Sequence, residues 1–127
     1  MPANGIFVFG SNPQGRHGAG NALAAKVHFG AKYGQGPGLQ GRSYGIITKD
    51  LTKSKHPSIS SKDIKTQIKE LYALAKTTPD KDYYIAYSAK GSLLCGYSHA
   101  QLANMFSCET PPDNIVFEEG FSKLLTI

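Results

Sequence analysis

The sequence predicts an α/β protein in which a mostly parallel sheet is flanked by helices in three layers. Short apolar runs typical of buried strands alternate with segments whose apolar residues recur every three or four positions. Strands that alternate with helices favour parallel pairing, because each helix carries the chain back to the start of the next strand. With 127 residues, of which 40% are hydrophobic, the chain is long enough for one core, so we expect a single domain over residues 1–127.

The first strand and the first helix are predicted near the start of the chain. Gly5 to Phe9 is a continuous apolar run closed by a Gly-Ser-Asn-Pro turn, which is typical of a buried strand. The segment from Ala19 to Tyr33 is rich in alanine and contains Leu23 and Val27. This composition predicts a helix that packs closely on the sheet through small residues.

The middle of the chain predicts a second strand and a second helix. Gly34 to Gly41 is too rich in glycine for regular structure, whereas Ser43 to Thr48 returns to strand composition. Leu51 to Ser60 is polar and predicts an exposed loop. Ser60 and Asp63 resemble a helix-capping box, and apolar residues then follow at helical spacing, up to a stop before Pro79. These residues are Ile64, Ile68, Leu71, Tyr72 and Ala75.

The last third predicts two further strands with a helix between them. Asp82 to Ser88 and Asn114 to Glu118 have strand composition. Ser98 and Gln101 form a capping box that predicts a third helix. Phe121 to Leu125 predicts a closing helical turn.

The net charge of +5 is unevenly distributed along the chain. No aspartate or glutamate precedes Asp50, and the basic residues of that part are Arg16, Lys26, Lys32, Arg42 and Lys49. The remainder carries equal numbers of lysines and acids and resembles an ordinary solvated surface. Because the bases are dispersed among glycines, a small phosphorylated ligand fits this part better than a nucleic-acid backbone does.

Two glycine-containing loops follow predicted strands and lead into helices. The first runs from Gly10 to Asn21 and the second from Lys90 to Ser98. In parallel sheets, ligands bind beyond the carboxyl ends of the strands, where backbone N–H groups and helix N-termini attract phosphates. Gly15, Gly18 and Gly20 match neither the dinucleotide fingerprint nor the P-loop spacing, so turn formation and helix packing are the alternative roles for these glycines.

The two loops carry a resemblance to a known family. Gly10-Ser11-Asn12, followed by the glycine run to Asn21, resembles the macro domain, and the loop from Gly91 to Ser98 resembles its second phosphate-contacting loop. The segment from Phe29 to Tyr44, with Thr48-Lys49-Asp50, is similar to a small macro-like family of bacteria and phages. The resemblance spans the chain from Phe7 to about Phe117.

The resemblance implies a macro-like fold and a site for ADP-ribose or a related nucleotide. Asn12 would match the asparagine that orients the distal ribose, whereas Phe9 stands where the macro domain has a second asparagine. No acid precedes Asp50 to match the aspartate that reads the adenine. The predicted ligand-binding residues are Gly10, Ser11, Asn12, Gly15, His17, Gly18, Gly20, Asn21, Lys49, Gly91, Cys95, Gly96 and Tyr97.

Three residues are candidates for chemistry. His17 exchanges a proton near neutral pH and would act as an acid or base, or else it stabilises a turn. Asp50 would activate a water or orient a ribose hydroxyl, or else it begins a loop and pairs with Lys49. Asn12 completes the candidate catalytic set. Cys95, near the start of a predicted helix, is a weaker candidate for a nucleophile.

Three functions remain open on the sequence alone. The first is a module that binds ADP-ribose or a related pyrophosphate ligand, free or attached to a macromolecule. The second is a hydrolase of ADP-ribosyl or phosphoester bonds, and the third is single-stranded nucleic-acid binding through exposed tyrosines. We expect no metal, no cofactor, no membrane span, no signal peptide and free thiols at Cys95 and Cys108, and therefore a cytoplasmic protein.

Overall fold

The computed structural model describes residues 2–18, 20–87 and 95–126 of the chain. The strands are β1 (Gly5–Ser11), β2 (Gly38–Gln40), β3 (Ser43–Ile47), β4 (Asp82–Ile85) and β5 (Ile115–Val116). The helices are α1 (Gly20–His28), α2 (Ser61–Thr77), α3 (His99–Phe106) and α4 (Glu119–Ser122).

The five strands form one mostly parallel sheet in the order β2-β3-β1-β4-β5. β1 is central and pairs in parallel with β3 on one side and with β4 on the other. β5 extends the sheet in parallel beyond β4, and β2 is the antiparallel edge strand beside β3. This α/β architecture agrees with the fold class that the sequence predicts.

Two cores lie on opposite faces of the sheet. Successive side chains of β1 alternate between them, because Ile6 and Val8 join the larger core whereas Phe7 and Phe9 belong to the smaller one. Residues of α2, α3 and α4 cover the larger core, and Ala22 and Ala25 of α1 contribute to the smaller core. The molecule is therefore a three-layer α/β fold.

The two cap signals in the sequence mark helix starts in the structure. Ser60 caps α2 by accepting a hydrogen bond from the backbone N–H of Asp63, and the periodic apolar residues form the buried stripe of this helix. Ser98 and Gln101 form a complete capping box at α3. Capping side chains satisfy backbone N–H groups that a helix start leaves unpaired. The residue types that cap helices therefore predict both helix starts from the sequence.

The structure corrects the prediction that residues 34–41 are irregular. Gly38–Gln40 forms β2, which is joined to β3 by only Gly41 and Arg42 in a tight hairpin. The hydroxyl of Ser43 donates to the carbonyl of Gln40 at 2.7 Å across this hairpin. The glycines that suggested irregular structure instead provide the tight turn and the close packing of the hairpin.

The first helix is shorter than predicted and packs differently. It ends at His28 instead of Tyr33, because Gly30 adopts a φ of +75° and the N–H of Ala31 turns back to the carbonyl of Ala25. Leu23 and Val27 are 41% and 63% exposed. The prediction that they pack on the sheet with the alanines is therefore wrong, because only the alanine side of this helix faces the core.

The later strands are also shorter than predicted. β4 ends at Ile85, and the predicted end of this strand at Ser88 lies outside the described residues. β5 contains only Ile115 and Val116, and α4 begins two residues before the predicted closing turn.

Candidate functional site

A cavity of about 500 Å³ lies beyond the carboxyl ends of β1 and β3 and beside the segment that follows β4. The described lining residues are Gly10, Ser11, Asn12, Arg16, Gly18, Gly20, Asn21, Ala22, Thr48, Lys49, Leu51, Tyr87 and Cys95. We call the buried ones the floor, namely Ser11, Asn12, Thr48, Tyr87 and Cys95, and the others the rim.

The topology of the sheet creates this cavity. β1 leads into α1 on one face of the sheet, whereas β3 and β4, its two neighbours, lead into α2 and α3 on the other face. The chain therefore leaves adjacent strands in opposite directions, and a crevice opens at the end of β1. Such a switch point is where open α/β sheets bind their ligands.

The first turn of α1 forms one wall of the rim. Gly20, Asn21 and Ala22 begin this helix and line the cavity, and Gly18 lies just before it. The side-chain amide of Asn21 donates to the carbonyl of Ala86 at 3.2 Å, which ties the helix start to the end of β4. The unpaired N–H groups of a helix start and its dipole, equivalent to about half a positive charge, make this wall attractive to an anion.

The charges that face the cavity are positive. Arg16 and Lys49 are the charged residues among its described lining, and no carboxylate lines the part of the cavity that the structure describes. The acid-free N-terminal part of the sequence therefore supplies most of the lining, together with the helix start.

Asn12 uses its side chain to hold the first loop. Its amide nitrogen donates to the carbonyl of Arg16 at 2.8 Å, and its amide oxygen accepts from the N–H of Arg16 at 2.9 Å. These two bonds fix the turn that brings Arg16 to the rim. Asn12 also lines the cavity.

Gln14 and Asp50 tie the loop after β1 to the loop after β3. The side chain of Gln14 donates to the Asp50 carboxylate at 3.1 Å and accepts from the N–H of Leu51 at 3.2 Å. The same carboxylate oxygen accepts from the hydroxyl and the N–H of Thr52 at 2.7 and 2.9 Å. The hydrogen bonds from Thr52 and then Gln14 hold the pKa of Asp50 below its usual value. Asp50 does not line the cavity.

His17 lies in the interior and not on the cavity surface. It is 1% exposed, and its Nε2 lies 2.9 Å from the carbonyl of Lys32 and 3.0 Å from that of Gln35. Because both partners are acceptors, this nitrogen carries the proton and donates. The ring packs edge-on against Phe9. His17 therefore fastens residues 32–35 to the sheet, as in the turn alternative that the sequence left open.

The remaining predicted glycine of the first loop, Gly15, also has a packing position. It accepts a hydrogen bond from the N–H of Gly34 at 2.9 Å, and a β-carbon at Gly15 would collide with the Gly34 backbone. Gly15 does not line the cavity, whereas Gly10, Gly18 and Gly20 do.

The second predicted loop contributes Cys95 to the floor. Gly96 packs against the backbone of His56 and Pro57, and the hydroxyl of Tyr97 donates to the carbonyl of Ile59 at 2.6 Å. These contacts anchor the second loop to the loop that precedes α2. Gly91, which the sequence also predicts as a ligand-binding residue, lies outside the described residues.

Sequence reasoning missed Tyr87 and Thr48 in the floor. The hydroxyl of Tyr87 reaches across β1 to the place that a side chain of residue 10 would occupy, and a β-carbon there would lie 2.5 Å from it and 3.0 Å from the Thr48 hydroxyl. Gly10 is therefore required by close packing. Burial raises the pKa of Tyr87 above its ordinary range. The position of each residue at a strand end is the signal that could have found them.

Other predicted features can be compared with the described part of the chain. Cys95 and Cys108 are free thiols. Residues 2–18, 20–87 and 95–126 contain no cluster of three or more histidine, cysteine or acidic side chains placed to hold a metal ion. Within the same residues, no helix has the length and apolar character that a membrane crossing requires.

No family model matches the sequence, and neither the curated proteins nor the solved structures include a match. The function proposed for this protein therefore depends on the geometry and charge of the cavity, together with the sequence resemblance.

Proposed function

We propose that this protein binds ADP-ribose or a related nucleotide through its pyrophosphate in the cavity at the end of β1. The observation that carries the proposal is the coincidence of a helix start and two cations around one cavity at a sheet switch point. The macro-domain resemblance of the first loop supports the same ligand class.

The phosphates would lie against the first turn of α1. Gly18 and Gly20 are exposed and have no heavy atom of the fold within 4 Å of the place where a β-carbon would stand. This open space allows a ligand to approach their backbone directly. Arg16 and Lys49 flank the same space and would neutralise the charge of the phosphates.

Binding is favoured over hydrolysis by the positions of the two candidate acid–base groups. A general acid or base must reach the scissile bond of the ligand. His17 is buried behind the loop, and Asp50 is engaged by Thr52 and Gln14 away from the cavity lining.

Isothermal titration calorimetry with ADP-ribose tests the proposal. Lys49→Gln removes a rim cation and should weaken ADP-ribose binding by about tenfold or more, since a hydrogen bond to a charged group contributes about 1.5–3 kcal/mol. Lys26→Gln is the matched control, because Lys26 lies in the same acid-free part but is exposed on α1 and does not line the cavity.

Adenosine supplies the second control in this titration. Because the proposal assigns affinity to the phosphates, adenosine should bind far more weakly than ADP-ribose. Equal affinities for adenosine and ADP-ribose, or equal losses in Lys49→Gln and Lys26→Gln, would contradict the proposal.

A further inference from the structure

Two buried hydroxyl groups in the floor of the cavity have no hydrogen-bond partner among the described residues. They belong to Ser11 and Tyr87, which are 3% and 6% exposed. Both residues line the cavity.

Three other buried hydroxyls of the described residues have partners within the fold. The hydroxyl of Tyr72 donates to the carbonyl of Phe106 at 2.5 Å, that of Tyr83 lies 2.8 Å from the Thr78 hydroxyl, and that of Ser43 donates to Gln40. Since folded proteins pair nearly all of their buried polar groups, two unpaired hydroxyls in one cavity indicate a missing partner. A ligand bound in the cavity would supply that partner.

The distribution of charge shows which part of a ligand fits the floor. Arg16 is exposed and Lys49 is half-buried, and both belong to the rim. The described floor residues with oxygen-bearing side chains are the hydroxyl residues Ser11, Thr48 and Tyr87 and the amide Asn12. Moving a charged group out of water costs far more than moving a neutral hydroxyl, so the floor suits an uncharged polar group.

We propose that Ser11 and Tyr87 determine specificity for a phosphorylated sugar by each hydrogen-bonding a hydroxyl of the sugar, with the sugar inward and the phosphates at the rim. A sugar hydroxyl both donates and accepts, so it pairs with a protein hydroxyl in either sense. This inference rests on the proposed function, because it assumes that the rim binds the phosphates.

Tyr87→Phe and Ser11→Ala test the inference by calorimetry and thermal unfolding. Each variant removes an unpaired buried hydroxyl, so the ligand-free melting temperature should stay equal or rise. Affinity for ADP-ribose should fall by about tenfold in each variant, the scale of one lost hydrogen bond. Affinity for inorganic pyrophosphate, which has no sugar, should be unchanged.

Tyr72→Phe is the matched control, because it removes a buried tyrosine hydroxyl that the protein itself has paired. It should lower the melting temperature and leave affinity for ADP-ribose intact. In the wild-type protein, ribose 5-phosphate should bind more tightly than inorganic phosphate, a comparison that does not depend on any variant folding.

The possible outcomes separate this inference from the proposed function. If the wild-type protein binds neither ADP-ribose nor pyrophosphate, the proposed function fails and the inference fails with it. If the wild-type protein binds both but Tyr87→Phe and Ser11→Ala retain full affinity for ADP-ribose, only the inference is wrong. If these two variants lose as much affinity for pyrophosphate as they lose for ADP-ribose, the phosphates bind at the floor, and the inference is also wrong.

Discussion

Individual polar side chains around the cavity have two different tasks. Asn12 hydrogen-bonds within its own loop, Gln14 and His17 hydrogen-bond to other segments, and together they fix the shape of the cavity wall. Ser11 and Tyr87 line the cavity, and their buried hydroxyls have no hydrogen-bond partner among the described residues. The residues that hold the loops are therefore distinct from those with unpaired hydroxyls. All of them lie in residues 11–17 except Tyr87, which follows β4.

His17 provides a test of this division. His17→Ala leaves the carbonyls of Lys32 and Gln35 without their donor and opens a void beside Phe9. We expect the free energy of unfolding to fall by about 2–4 kcal/mol, measured by urea denaturation. The control His28→Ala concerns an exposed residue at the end of α1 and should change it by less than about 0.5 kcal/mol.

The opposite result for His17 would support the acid–base hypothesis. In that case His17→Ala would retain wild-type stability and abolish a measurable hydrolysis of ADP-ribosyl bonds. The burial of the ring argues against this outcome, because an acid or base must reach the ligand.

The elements of the fold were predictable where a local signal exists. Caps at Ser60 and Ser98 and the apolar stripe of α2 are local features, and the structure confirms the helix starts that they predict. β2 and the end of α1 depend on contacts with residues farther along the chain, such as the hydrogen bond from the N–H of Arg42 to the carbonyl of Phe29. Single-sequence composition does not contain this information, so the hairpin and the exposed face of α1 could not be predicted.

Helix α3 offers a test at the scale of an element. Ser98→Ala removes the hydroxyl that accepts from the N–H of Gln101 and should lower the free energy of unfolding by about 1 kcal/mol. The control Asn104→Ala is an exposed site in the same helix, where the side chain only reaches Thr126 at 3.3 Å. Equal losses for the two variants in thermal unfolding would show that the capping box does not stabilise α3.

At the scale of the whole molecule, the topology of the sheet brings basic residues of the acid-free N-terminal part to the cavity at the end of β1. The order of the strands puts the end of β1 at the switch point, and the loops that follow β1 and β3 carry Arg16 and Lys49 to it. The sequence predicted the charge and the strand-end loops. It did not predict Tyr87 in the floor, because that contact requires the pairing of β1 with β4 and the absence of a side chain at Gly10.

The molecule has a second groove, which provides an internal comparison for the binding site. It lies between α2 and α3, has a volume of about 390 Å³ and is lined by residues that include Lys65, Tyr97 and Met105. A ligand attracted only by the shape of a groove or by a lysine could bind in this second groove. The proposed function requires that the ligand bind in the cavity at the switch point.

The most direct test of the central claim is a crystal structure of the protein with ADP-ribose. We predict density for the ligand in the cavity beyond β1, with its phosphates against Gly18, Gly20 and Asn21 and near Lys49. Density in the groove between α2 and α3, or no ligand density at a concentration that saturates binding in solution, would contradict the claim.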